Sequence, residues 1–120
     1  SFGGTKNGMM YGEAVVFMNK EYAFDFKYLR KQGMQLASKM RYIAAQFERF
    51  LDEDIWLKNA THANRMAKLL EKKLKGMEGI RITQPVQSNA VFAMLPKEII
   101  PILQESFFFY VWDVAAGEVR

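Results

Sequence analysis

Lys6 stands alone among glycines and small polar residues, in Ser1-Phe2-Gly3-Gly4-Thr5-Lys6-Asn7-Gly8, a short way ahead of the run Glu13-Ala14-Val15-Val16-Phe17. Glycines let the backbone approach a bulky ligand closely and supply sharp turns. Thr5 and Asn7 can hydrogen-bond locally and fix such a loop. Three readings of the lysine follow. It is a solvated residue of a mobile terminus, a phosphate-binding lysine, or an amine that forms an imine with a carbonyl compound. The phosphate loop requires Gly-x-x-x-x-Gly-Lys-Ser/Thr opening a helix. Here the order is Gly-Thr-Lys-Asn-Gly and the next regular element reads as a strand, so that option fails.

The other chemistry-bearing candidates are fewer. Arg65, Lys68, Lys72, Lys73 and Lys75 form a basic stretch, most of it on one helical face. No aromatic interleaves with it as a base-stacking platform requires. Glu71 lies four residues before Lys75, as on an ordinary solvated helix face. His62 has no second ligand at metal spacing, which favours a structural or surface role. With no cysteine in the chain, thiolate catalysis, disulfides and cysteine-based metal sites are excluded.

The elements that must position these residues follow from periodicity. Residues 13–18 read as a buried strand. Residues 23–31 suggest a short helix stopped at Gly33. Ser38 is placed to cap the next helix, on which Met40, Ile43, Ala44, Phe47, Phe50 and Leu51 form a core stripe. Asp54 is suited to cap a further helix, carrying Trp56, Ala60, Ala63, Ala67, Leu70 and Leu74 on one face and ending at Gly76. Ile80–Thr83 alternates like a half-buried strand, and Asn89–Leu95 reads as another. A short helix begins near Pro96, with Pro101 either interrupting it or lying in its first turn. Phe107–Trp112 is strongly β-prone. Asp113–Gly117 is a turn, and Glu118-Val119-Arg120 opens a last strand.

The order strand, helices, then β-α-β-β predicts an α+β fold with a small, mostly antiparallel sheet covered by helices. Half of the 120 residues are hydrophobic and the net charge is only +4, so a folded core is expected rather than disorder. No apolar run approaches the roughly 18 residues of a membrane helix, and the start lacks the regions of a signal peptide. The expected setting is cytoplasmic, with neither membrane nor nucleic acid as partner.

The segment Ser-Phe-Gly-Gly-Thr-Lys-Asn-Gly followed by Glu-Ala-Val-Val-Phe resembles the cofactor-lysine segment of low-specificity threonine aldolases. The likeness continues through Arg30-Lys31-Gln32-Gly33, Ser38-Lys39-Met40-Arg41, Phe109–Asp113 and Glu118-Val119-Arg120. It covers essentially the whole chain, but only the C-terminal part of such an enzyme. The resemblance implies a fold-type I, aspartate-aminotransferase-like enzyme, with residues 1–22 belonging to its large domain and 23–120 to the helices and small C-terminal domain.

It also implies pyridoxal 5′-phosphate as cofactor, a 3-hydroxy amino acid as substrate, and glycine and an aldehyde as products. Lys6 matches the lysine that anchors the cofactor as an imine. Arg41 matches a basic residue that reaches the cofactor phosphate of a neighbouring subunit, with Lys31 and Lys39 nearby, so a homo-oligomer is implied. Read from the residues alone, Arg41 is equally a solvent-facing residue of an amphipathic helix. Some relatives carry a histidine where this chain has Met34-Gln35-Leu36. Arg120 matches the arginine that binds the substrate carboxylate; as the last residue it is otherwise a frayed terminus. The ring-stacking histidine, the aspartate on the pyridine nitrogen and the main phosphate cup of the family precede the lysine, so a missing N-terminal domain is implied as partner and the 120 residues alone are expected to be inactive. Alternatives are another pyridoxal phosphate lyase or an aminotransferase, and a non-enzymatic helical interaction module.

Overall fold

The computed structural model describes all residues, Ser1–Arg120. They form two compact units, Ser1–Asn59 and Ala60–Arg120. The fold is α+β, with four α-helices and two small antiparallel sheets.

In the first unit, β1 (Phe2–Gly3) pairs antiparallel with β2 (Glu13–Ala14), setting Phe2 opposite Ala14 and Gly3 opposite Glu13. The expected buried strand over 13–18 is therefore only two residues long. In this antiparallel register the residues after Ala14 run past Phe2, where β1 starts, and Val16 is 60% exposed. A 3-10 turn at Lys20–Ala23 follows, with the Asn19 side chain accepting from the Glu21 amide at 2.9 Å.

Helix α1 (Phe26–Gln32) ends at Gly33 as its composition suggests, but the left-handed residue is Met34, with φ 55°. Gly33 itself stays at φ −74°. Helix α2 (Met40–Asp52) starts one residue later than a Ser38 cap requires. Its flanking residue is Lys39, and no side chain caps it. Of the predicted stripe, Phe50 is buried while Met40, Ile43 and Phe47 are half-buried.

Helix α3 (Ile55–Leu74) runs through the boundary between the units. Asp54 precedes it, but at φ 54° rather than in the extended conformation usual for an N-cap. Its carbonyl accepts the first helical bond, from Lys58 N at 3.0 Å. Gly76, at φ 92°, supplies the turn after the helix.

The second unit holds a four-stranded sheet ordered β3 (Arg81–Ile82), β4 (Ala93–Met94), β6 (Glu118–Val119), β5 (Val111–Asp113), antiparallel throughout. Helix α4 (Ile100–Gln104) carries Pro101 in its first turn, where no amide is needed. Its Ile100 packs with Ala93 and Val119, and Ile80, Ile82, Leu95, Phe109 and Val111 close around them. The turn before β6 depends on Gly117, at φ 72°. A Cβ there would stand 2.8 Å from the Leu95 carbonyl oxygen. The β-prone run 107–112 enters the sheet only at its end, because β5 begins at Val111 and Phe108 is 85% exposed.

Candidate functional site

The lysine loop is held in place on both sides. Gly4 N donates to the Gly12 carbonyl at 3.0 Å, and the Asn7 and Met9 amides return to the Gly4 carbonyl at 2.9 and 3.1 Å. Between them, Thr5–Asn7 forms one 3-10 turn, closed by Gly8 at φ 108°. Gly4 and Met9 are buried beneath it, and a Cβ on Gly4 would collide with the Met9 thioether.

Two helices fasten this loop. The Asn7 side-chain amide donates to the Trp56 carbonyl at 3.1 Å, and Asn59 Nδ2 donates to the Asn7 carbonyl at 2.7 Å. Gly8 faces Asn59 so closely that a Cβ would lie 3.0 Å from Asn59 Nδ2. On the other side Gln46 accepts from the Met10 amide at 2.9 Å and donates to the Tyr42 carbonyl at 3.1 Å, locking the loop to α2. Asn7 Oδ1 is buried with no hydrogen-bond partner. A terminus free to move has none of these bonds, so the mobile-tail reading of this segment is overturned.

Lys6 stands at the tip of this loop, exposed and unpaired. The ion pairs of the protein lie elsewhere: Arg49 with Glu53, and Lys68 and Lys75 both with Glu71. The two lysines hold the Glu71 carboxyl below its ordinary range, Lys75 more strongly than Lys68. Within the basic stretch, Arg65 donates to His62 Nδ1 at 3.3 Å. Beside the loop, an open groove of about 1030 Å3 is lined by Thr5, Glu13, Phe26, Arg30, Met40 and Phe47 among others, so the apolar sides of α1 and α2 are not closed over one another.

Arg41 is exposed in the first turn of α2, its Cζ 5.1 Å from the centre of the Tyr42 ring. It lies in the same unit as Lys6, with no bond between the two side chains. Arg120 lies in the other unit. Its amide donates to the Tyr110 carbonyl at 2.8 Å and its carbonyl accepts from the Tyr110 amide at 3.1 Å. That paired backbone overturns the expectation of a frayed end. The guanidinium sits 5.9 Å from the ring centres of both Phe92 and Trp112.

Over 119 residues, 99% of the chain, the sequence is 43% identical to the low specificity L-threonine aldolase of Pseudomonas aeruginosa. The chain is similar to low-specificity L-threonine aldolases. A second relative of that name, from a Pseudomonas species, is 39% identical over the same share. The chain spans about a third (34%) of the length of these curated aldolases. No protein-family model matches it.

Set beside the aldolase likeness, the residues to which the sequence assigns no site role are the supporting ones, Trp112 having been read only as part of a β-prone, family-like run. Asn59 and Gln46 fasten the lysine loop, and Phe92 and Trp112 flank Arg120. Asn59 carried a weak signal, since asparagine is a poor residue for a helix interior. The other three sat inside ordinary helical and strand patterns.

Proposed function

We propose that this sequence forms part of a pyridoxal 5′-phosphate-dependent aldolase that cleaves threonine-like 3-hydroxy amino acids to glycine and an aldehyde. One observation carries the reading: the loop that matches the aldolases' cofactor lysine presents an unpaired amine on an anchored backbone. Imine formation needs an accessible primary amine, and no carboxylate pairs with this one. The residues therefore fit the cofactor. Lys6 would hold it covalently and exchange it for the amine of the substrate.

Arg41 would neutralise the phosphate. Its guanidinium donates in parallel to phosphate oxygens, and it sits where the uncapped amides of the α2 N-terminus add a favourable field. Arg120 would receive the substrate carboxylate and so orient the bond to be broken. Once exchanged from Lys6 to the substrate amine, pyridoxal phosphate would supply the electron sink for the pair left at Cα.

The pocket needs further residues from the whole protein and, through Arg41, a second subunit. The broad exposed apolar surface of this chain supports both requirements. No helix is long and apolar enough to cross a membrane, and we place the whole enzyme in the cytoplasm.

The test is the whole protein, purified with cofactor and given threonine. Glycine and acetaldehyde should appear in equal amounts, and Lys6→Ala should abolish them. Release of ammonia and a keto acid would point to another pyridoxal reaction. No turnover, or turnover that survives Lys6→Ala, would overturn the reading.

A further inference from the structure

Arg120 is a cation without an anion. No side chain accepts from its guanidinium, and the two nearest carboxylates along the chain are engaged elsewhere. Glu118 lies two residues before it on the same face of the strand, but Glu118 Oε1 takes the Thr83 hydroxyl. Asp113 Oδ1 takes the Ala116 amide at 3.0 Å. What flanks the guanidinium instead is aromatic. Phe92 and Trp112 meet edge to face, 5.3 Å apart at 85°, and Arg120 Cζ lies 5.9 Å from the centre of each.

Ring faces attract a cation without consuming its N–H donors. A carboxylate partner would occupy those donors, and a bare solvent setting would leave the long side chain to wander. An aromatic corner avoids both. Below it, the reciprocal backbone bonds between Arg120 and Tyr110 fix the base of the side chain.

We propose that Phe92 and Trp112 are positioning residues that hold the Arg120 guanidinium with its donors open for the carboxylate of the amino-acid substrate. The proposal rests on the role given above to Arg120. It assigns these rings to substrate affinity, not to the bond-breaking step. Thr83 assists by keeping Glu118 from closing on Arg120.

The experiment is steady-state kinetics of the whole holoenzyme with threonine. Phe92→Leu and Trp112→Leu keep apolar bulk and remove the ring face. Each should raise KM about two- to fivefold and leave kcat within about twofold, as the loss of one cation–ring contact requires. Trp112→Phe should restore KM close to wild type, which a purely space-filling role does not demand. Arg120→Gln should raise KM by about tenfold or more.

A raised KM in Arg120→Gln with unchanged KM in both leucine variants would overturn the positioning role and leave the carboxylate role intact. An unchanged KM in Arg120→Gln would overturn both. A second readout needs no destabilised variant. Glycine added to the holoenzyme should change a tryptophan fluorescence component that is absent in Trp112→Phe and silent in Arg120→Gln. Equal responses in wild type and Trp112→Phe would also refute the proposal.

Discussion

Lys6 and Arg41 are both exposed residues of the first unit, and what distinguishes them is what lies behind them. The backbone at Lys6 is fastened from both sides, so its amine has a defined origin without an ionic partner. Arg41 is steadied only by its neighbour Tyr42, which its Nη2 approaches at 3.5 Å. That is a weak restraint, and it suits a side chain that reorients to meet phosphate. Replacing Arg41 with Gln keeps helix propensity and removes the charge. In the whole enzyme this should weaken cofactor binding about tenfold, the scale of one charge-assisted bond, as read by titrating apoenzyme with pyridoxal phosphate at constant ionic strength. Unchanged affinity would return Arg41 to an ordinary solvated helix residue.

At the scale of elements, the helices were the most legible part of the sequence. The stripes headed by Met40 and by Trp56 recur every three or four residues, and α2 and α3 formed where that spacing placed them. Strands were harder to read, because a strand's extent is set by its partner. Neither the Val15-Val16 run nor Phe107–Phe109 could reveal from its own residues that it would lie outside the strands. The lysine loop was legible in residue type but not in attachment. Gln46 and Asn59 are 40 and 53 residues away along the chain from Lys6, by subtraction of their numbers, and nothing local pairs them with it.

That attachment can be measured. Asn59→Ala removes the 2.7 Å bond to the Asn7 carbonyl. It should destabilise the loop by about 1 kcal/mol and speed amide exchange at Asn7 and Met9 roughly fivefold. Exchange rates equal to wild type would show that Asn59 is not a fastening. In α3, Glu71 accepts from Lys68 at 3.1 Å and Lys75 at 2.9 Å, and its carboxyl is held low by them. A depressed carboxylate stabilises the fold above its unfolded pKa, and that contribution is lost as pH falls through the folded value. Glu71→Gln should therefore have a lower urea midpoint than wild type at pH 7, with the two curves converging toward pH 3. A gap of equal size at both pH values would assign the effect to packing.

Across the whole molecule, the buried apolar residues are few: Met9, Phe50, Ala67, Val86, Ala93, Ile100 and Val119. Tyr22, Phe24, Phe107, Phe108, Tyr110 and Trp112 remain more than half exposed. So much open aromatic surface is uncommon for a chain that stays alone in water. The chain spans about a third (34%) of the length of the curated aldolase it is similar to. The 120-residue chain by itself should therefore self-associate, most simply as a symmetric dimer. Sedimentation equilibrium across a wide concentration range checks this, and a monomer at the highest concentrations would contradict it.

The central claim is that Lys6 carries the cofactor. Borohydride reduction of the whole holoenzyme converts a lysine–pyridoxal imine into a stable secondary amine, and peptide mass analysis then locates it. The expected result is one pyridoxyl label, on the peptide containing Thr5-Lys6-Asn7. A label on any other lysine, or none on a cofactor-saturated enzyme, would contradict the assignment.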